Sequence, residues 1–67
     1  MENGNVKWFD PQKGFGFIQP DHGGRDVFVH MNALKASGLN RLSEGQVVFY
    51  ELFHEGNRQE ARDLAVL

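Results

Sequence analysis

The sequence predicts an all-β domain, a five-stranded antiparallel barrel with a short helical turn between strands 3 and 4. Short runs of alternating apolar and polar residues recur along the 67 residues, and this alternation is typical of half-buried strands. Glycine-containing turns separate the runs, and one long connection follows the third. Closure into a barrel would also remove the exposed edges along which small sheets aggregate.

Length and composition bound the protein class. A chain of 67 residues has room for one domain, residues 1–67, with a stability on the order of a few kcal/mol. The absence of cysteine excludes disulfides and zinc–thiolate sites. The N-terminus shows no signal-peptide pattern, and no apolar run approaches the roughly 20 residues that span a bilayer. We therefore expect a soluble cytoplasmic protein without a membrane partner.

The first strand is predicted over residues 5–9 and ends at the turn-forming residues 10–12. Strict alternation places Val6 and Trp8 on one face and Lys7 and Phe9 on the other. If Trp8 and Phe9 both joined one aromatic face, the strand would need a bulge or sharp twist near Trp8.

Strands 2 and 3 are predicted as an antiparallel hairpin of residues 13–18 and 26–30, joined by a polar turn. One parity carries aromatic residues, namely Phe15, Phe17, Phe28 and His30. The other carries glycines and the aliphatic residues Ile18, Val27 and Val29. Burial of the phenylalanines is the ordinary alternative. We favour an exposed aromatic face because the aliphatic set suits a small core and the glycines suit close packing between strands.

The second half contains the remaining elements. Residues 32–36 are too few for a stable isolated helix and predict a helical turn that Gly38 ends. Strand 4 is predicted over residues 47–54 and strand 5 over residues 61–67, with turns at 43–46 and 55–57. The expected core residues are Leu34, Leu42, Val48, Tyr50, Leu52, Leu64 and Val66. Phe49 and Phe53 are expected to face outward.

Charge is distributed unevenly along the chain, whose net charge is −2. Residues 1–41 carry five cations against four acids, whereas residues 42–67 carry two cations against five acids. Nucleic-acid-binding domains usually show a basic surface, so the overall balance is unfavourable for that function. We expect the acidic excess to lie away from the aromatic hairpin.

The residue types required for catalysis are sparse. Ser37 and Ser43 lie in no nucleophile motif, and the three histidines, His22, His30 and His54, lack metal-ligand spacing. The sequence Gly14-Phe15-Gly16 starts like a dinucleotide-binding loop, but no third glycine or helix follows it. We therefore expect neither an enzyme nor a bound metal or cofactor.

Exposed aromatic rings beside cations are typical of proteins that bind single-stranded nucleic acids. Bases stack on such rings at about 1–3 kcal/mol per base, with little dependence on sequence, while cations contact the phosphates. The hairpin supplies Phe15, Phe17, Phe28 and His30 for this purpose. Trp8 and Phe9 would extend the surface, and Lys7 and Lys13 stand beside it for phosphates.

The motif at residues 13–18 resembles the first ribonucleoprotein motif, which RNA-recognition-motif domains share with cold-shock domains. Only 12 residues precede it here, and the companion motif at residues 27–30 follows it, which is the cold-shock order. Together with residues 4–9 and 42–46, these motifs make the chain closely similar to bacterial cold-shock proteins. The resemblance implies an oligonucleotide/oligosaccharide-binding (OB) barrel that binds single-stranded RNA and DNA, pyrimidine-rich sequences among them, as an RNA chaperone that also affects transcription and translation. It assigns binding to Lys7, Trp8, Phe9, Lys13, Phe15, Phe17, Phe28 and His30, with Arg58 as a weaker match.

The chain departs from the family pattern at the edge of this surface. The family usually has aromatic residues where Met31 and Leu39 stand, and a common asparagine is replaced by Asp10. Arg58 lies in a loop without the usual Gly-Pro pair. Because two stacking positions are lost, we expect weaker binding or a shorter footprint than is usual in the family, with Met31 and Leu39 retaining only apolar contact.

Two other functions are consistent with parts of the sequence. The aromatic surface could dock on another protein, and Phe49 and Phe53 could form a homodimer contact, although a monomer is the simpler expectation. A nuclease using His22 or His30 has no supporting set of residues. Lys7, Lys13 and His30 among the rings favour nucleic acid.

Overall fold

The computed structural model describes all residues from 1 to 67 and shows the predicted closed barrel of five strands. The strands are β1 (Glu2–Asp10), β2 (Phe15–Pro20), β3 (Val27–His30), β4 (Val47–Glu55) and β5 (Arg58–Val66). One helix, α1 (Met31–Ala36), follows β3 directly and corresponds to the predicted helical turn. No helix has the length and apolar character that crossing a membrane requires.

The strands lie around the barrel in the order β1-β2-β3-β5-β4. Four of the strand pairings are antiparallel, and the pairing of β3 with β5 is parallel. The prediction of a wholly antiparallel barrel is therefore wrong at this one seam. The long connection that includes α1 carries the chain across the barrel, so that β5 returns alongside β3 in the same direction.

The core consists of ten buried residues, all aliphatic except Tyr50. Ile18, Val27 and Val29 are fully buried, as the alternation of the hairpin predicts. Leu34 from α1 and Leu42 from the long connection fill the interior as expected, whereas Leu52 and Val66 pack only partly against it. The remaining core residues are Val6, Val48, Tyr50, Ala61 and Leu64.

Two strands are longer than their sequence pattern indicates. β1 begins at Glu2 because Glu2 and the next three residues pair with β4, a contact that the polar sequence there does not reveal. β5 begins at Arg58 and contains an irregularity opposite Phe49–Glu51, where Asp63 adopts a φ of 54°. This bulge bends β5 beside α1, where the Leu64 N–H donates to Ser37 Oγ at 2.9 Å.

Candidate nucleic-acid interface

Cross-strand pairing brings the aromatic side chains of the first three strands together on the outside of the barrel. Trp8 pairs with Phe17, and Phe17 pairs with Phe28, so these residues form one row across β1, β2 and β3. Phe15 lies opposite His30 in a second row. We call Trp8, Phe15, Phe17, Phe28 and His30 the aromatic face.

The rings of the aromatic face contact one another. Centroid separations run from 5.5 Å for Trp8–Phe17 to 6.3 Å for Phe15–Phe17. Most pairs meet edge to face, whereas Phe15 and Phe28 stack at 27° with their centroids 5.6 Å apart. Such contacts contribute about 0.5–1.5 kcal/mol each beyond burial. The platform is therefore fixed before any ligand arrives.

None of these rings belongs to the core, so burial of the phenylalanines, the alternative interpretation, is wrong. Phe15, Phe17 and Phe28 are half-buried against one another, and Trp8 is 36% exposed. A contiguous patch of partly exposed rings on a small protein marks an interaction surface.

A bulge at Lys7 explains how Trp8 reaches this surface. Val6 pairs with Ile18, yet Trp8 pairs with Phe17, so two steps along β1 match one step along β2. Without the extra residue, Trp8 would share the inward orientation of Val6, which is 2% exposed. The bulge turns Trp8 outward and turns Phe9 toward the core, against which Phe9 packs partly buried. A bulge is therefore present, but it places Trp8 and Phe9 on opposite faces and does not bring both onto the aromatic face.

Gly16 permits the close approach of β1 and β2 beneath the face. A Cβ atom at this position would lie 2.3 Å from the Trp8 carbonyl oxygen and 2.7 Å from Phe9 Cα. Both are backbone atoms that cannot move without distorting β1. This contact confirms the predicted close packing between strands for Gly16. Gly14 precedes β2 at a φ of 80°, where a Cβ would meet only Met31 Cβ at 3.9 Å, so the prediction does not hold there.

His30 joins the aromatic face to α1. Its ring lies 6.2 Å from that of Phe28, and its Nδ1 accepts a hydrogen bond from the Asn32 N–H at 3.0 Å. His30 is therefore the N-cap of the helix, and accepting at Nδ1 leaves the ring proton on Nε2. The cap fixes the orientation of the imidazole beside the Phe28 ring.

The predicted phosphate-binding cations are less available than the sequence suggests. Lys7 Nζ forms an ion pair with Asp26 Oδ2 at 3.0 Å across the start of β3. The side chain of Lys13 is exposed. In the β1–β2 turn, the backbone N–H groups of Gln12 and Lys13 both donate to Asp10 Oδ1, that of Lys13 at 3.3 Å. Asp10 thus has a local role in the turn as well as a charge near the face.

Arg58 lies directly over the aromatic face. Its guanidinium carbon is 4.1 Å from the centroid of the Phe28 ring, a cation–π contact, and its Nη2 is 3.8 Å from Glu60 Oε1. The structure therefore places Arg58, a weak match to the family's binding residues, on the surface that was predicted from the hairpin.

Met31 and Leu39 are the two residues that the sequence resemblance placed at the edge of this surface. Both are half-buried and pack against the core. The Met31 N–H donates to the Gly14 carbonyl oxygen at 2.8 Å, and the Leu39 N–H donates to that of Leu34 at 2.8 Å. Neither residue adds an aromatic ring to the five of the aromatic face.

Closure of the barrel adds a residue to this surface that sequence reasoning missed. Phe28 pairs with Glu60 of β5, and Glu60 pairs with Phe53 of β4. The row that begins at Trp8 therefore continues past the aromatic face through an acidic residue to an exposed phenylalanine. The expectation that the acidic excess lies away from the hairpin is wrong for Glu60. The reason is the parallel β3–β5 seam, which local sequence patterns do not reveal.

Glu60 is flanked by two arginines. The side chain of Glu60 is 15% exposed, and its Oε2 is 3.9 Å from Arg62 Nε while its Oε1 is 3.8 Å from Arg58. Arg62 lies over the Phe53 ring at 4.5 Å and contacts Glu55 at 3.4 Å. Phe53 is 39% exposed despite this cover.

Comparison with known proteins is consistent with this geometry. The family described as 'Cold-shock' DNA-binding domain matches residues 2–67. A probable cold shock protein of Sinorhizobium fredii is 58% identical over 52 residues, covering 78% of this chain and 75% of the relative. Cold shock protein CspA of Rhizobium meliloti is 53% identical over 55 residues, covering 82% and 80%. Cold shock-like protein CspE of Escherichia coli K12 is 45% identical over 64 residues, covering 96% and 93%.

Proposed function

Because this chain belongs to the cold-shock domain family, we propose that it binds single-stranded RNA and DNA by stacking bases on the aromatic face. The observation that carries this proposal is the row of Trp8, Phe17 and Phe28, whose contacting rings remain partly open to solvent. Phe15 and His30 widen the row. Neighbouring strands lie about 4.8 Å apart, so successive rings along the row can each engage a different base of one extended strand.

Stacking on this face would make the protein an RNA chaperone. Each base held on a ring gains about 1–3 kcal/mol, while a step of duplex contributes about 1.4 kcal/mol. A protein that holds several bases therefore competes with a hairpin stem of similar length without covalent chemistry. Effects on transcription and translation, in the cytoplasm, would follow from keeping transcripts unpaired.

Along the aromatic face the preference should be for flexible, pyrimidine-rich strands. Preferences at stacking surfaces arise from stacking strength and from the flexibility of the strand more than from hydrogen bonds to base edges. Lys13 and Arg58 are the cations best placed to contact phosphates, because Lys7 is engaged by Asp26. Phe9, Met31 and Leu39 would contribute apolar contact at the margins.

Trp8 fluorescence tests this proposal directly, since Trp8 is the only tryptophan and lies in the row. Short single-stranded oligothymidine should quench it at micromolar concentration and low salt, and duplex of the same length should quench it far less. Phe17→Ala should weaken binding about 5- to 100-fold, in keeping with one lost stacking contact. Phe53→Ala removes a ring outside the aromatic face and is the matched control. Absence of quenching by single strands would overturn the proposal.

Docking on a second protein chain is the alternative that Phe53 supports, because this ring is 39% exposed. Arg62 already covers one side of it at 4.5 Å, which favours a monomer. Size-exclusion chromatography with light scattering at about 100 μM decides between the two. A dimer in the wild type that Phe53→Ala dissociates would establish the homodimer contact.

A further inference from the structure

A groove of about 350 Å³ lies between α1 and β5 at the edge of the aromatic face. Its volume falls at the lower end of the range of small-molecule sites, about 300–1,000 Å³. His30 belongs both to the groove and to the aromatic face, because its ring also contacts Phe28 at 6.2 Å. A strand stacked on the face can therefore place its next base in the groove without leaving the protein surface.

The lining of the groove suits a base better than a phosphate. Ala33 and Ala36 line the groove on the helix side, and the acidic residues Glu60 and Asp63 line it on the strand side. Arg62 also lines the groove, but its guanidinium is engaged by Glu55 at 3.4 Å and by the Phe53 ring at 4.5 Å. Two acids against one engaged cation repel a phosphate, while an apolar wall accepts the face of a planar ring.

The two carboxylates retain the capacity to accept hydrogen bonds. The arginine contacts of Glu60, at 3.8 and 3.9 Å, are longer than hydrogen bonds, so the oxygens of this half-buried side chain are not satisfied by them. Asp63 is exposed at the bulge of β5, where its φ of 54° bends the strand beside the helix. Asn32 adds an amide that can donate or accept.

We propose that this groove binds one base of a strand held on the aromatic face, and that its carboxylates select guanine. This inference rests on the proposed function. An ionised carboxylate only accepts hydrogen bonds, and it offers two oxygens side by side. The Watson–Crick edge of guanine presents two adjacent donors, N1–H and the 2-amino group, which match that pair. Thymine and uracil present one N–H between two carbonyl oxygens, which the carboxylate repels, while adenine and cytosine present a single amino donor beside an acceptor nitrogen.

The test uses heptamers in which one terminal thymidine of an oligothymidine is replaced by guanosine, adenosine or cytidine, at either the 5′ or the 3′ end. Trp8 fluorescence reports binding of each. The wild type should bind the heptamer with guanosine at one end about 5- to 10-fold more tightly than the all-thymidine heptamer, within the range of discrimination that a good two-bond contact to a base gives. Adenosine and cytidine should give smaller gains.

Two sets of variants separate the groove from the rest of the surface. The guanine advantage is the affinity for the guanosine heptamer divided by the affinity for the all-thymidine heptamer. Ala36→Leu fills the groove and should bring this ratio close to one. Ala65→Leu makes the same change at an exposed position outside the groove and should leave the ratio unchanged. The double variant Glu60→Gln/Asp63→Asn removes both carboxylates with little change in shape, and asparagine tolerates the backbone conformation at residue 63. It should also abolish the advantage. Thermal unfolding confirms that each variant is folded.

Three outcomes overturn the inference. If the wild type binds all heptamers within two-fold, the groove does not select guanine, although the stacking function stands. If the advantage survives in both Ala36→Leu and the double carboxylate variant, guanine is recognised elsewhere. If no heptamer quenches Trp8, both this inference and the proposed function fail.

Discussion

The ion pair between Lys7 and Asp26 should restrain the affinity of this protein for nucleic acid. Lys7 Nζ lies 3.0 Å from Asp26 Oδ2, and the two side chains are 53% and 33% exposed. An exposed pair of this kind is worth about 0.5 kcal/mol, and that energy is lost when the ammonium turns to a phosphate. Asp26→Asn removes this competition and should raise affinity about two- to three-fold at low salt.

The salt dependence of binding provides the sharper measurement. Each phosphate that a cation neutralises on a single strand adds about 0.7 to the slope of log K against log salt concentration. Freed Lys7 should therefore steepen the slope by up to about 0.7, so that the advantage of Asp26→Asn falls about 2.6-fold between 50 and 200 mM salt. Titration of Trp8 fluorescence with oligothymidine over this range gives the slope.

Two control variants make the result specific. Asp21→Asn removes an equal charge from the same loop, at an exposed residue outside the ion pair, and should change the slope far less. Lys7→Gln combined with Asp26→Asn should lose the added slope, because the freed cation is then absent. An unchanged slope in Asp26→Asn, or an equal change in Asp21→Asn, would refute the reasoning.

Three further predictions follow from the packing around the face. Met31→Phe and Leu39→Phe should each raise oligothymidine affinity about five-fold in the same fluorescence assay, because a ring is added at the edge of the face; unchanged affinities would contradict the idea that this edge limits binding. Gly16→Ala should lower the free energy of unfolding in urea by about 1–3 kcal/mol, since its Cβ would lie 2.3 Å from the Trp8 carbonyl oxygen, and a neutral effect would disprove the close packing. Burial, with a smaller contribution from the charge of Glu2, raises the pKa of the Tyr50 hydroxyl. The neutral hydroxyl therefore stabilises the fold fully below about pH 10, and this stabilisation is lost as the pH rises through the raised pKa. Tyr50→Phe should therefore lose less stability than the wild type above pH 10 in urea unfolding, and an equal loss would contradict this.

Local alternation was sufficient to predict the centre of the candidate site. Residues of one parity in β2 and β3 lie outside the barrel, and Ile18, Val27 and Val29 of the other parity are fully buried. This succeeds because a strand with one buried face leaves no freedom in the direction of its side chains. The sequence requires a bulge near Trp8 only if Trp8 and Phe9 share the aromatic face, and the strand pairing shows a bulge that instead turns Phe9 inward.

Contacts between distant parts of the chain could not be predicted in this way. The Arg58–Phe28 contact and the Phe28–Glu60 pairing both depend on the parallel seam between β3 and β5, which joins segments separated by the whole of α1 and β4. The Lys7–Asp26 pair likewise joins the bulge of β1 to the loop before β3, 19 positions apart in the sequence. Periodicity describes which way a side chain points within one strand and says nothing about what a non-neighbouring strand places beside it.

The charge around the aromatic face determines what kind of binding surface it is. Of the cations around it, Lys7 is engaged by Asp26 at 3.0 Å, while Arg58 lies over the Phe28 ring with Glu60 at 3.8 Å. Coulomb attraction to phosphates is correspondingly small, so under the proposed function most of the affinity comes from rings that stack on bases. This explains how a chain with a net charge of −2 can serve nucleic-acid binding. Glu60, which the closed barrel places beside Phe28, adds a negative charge to this balance, so any selection it makes between bases must come from hydrogen bonds to a base and not from attraction of the strand.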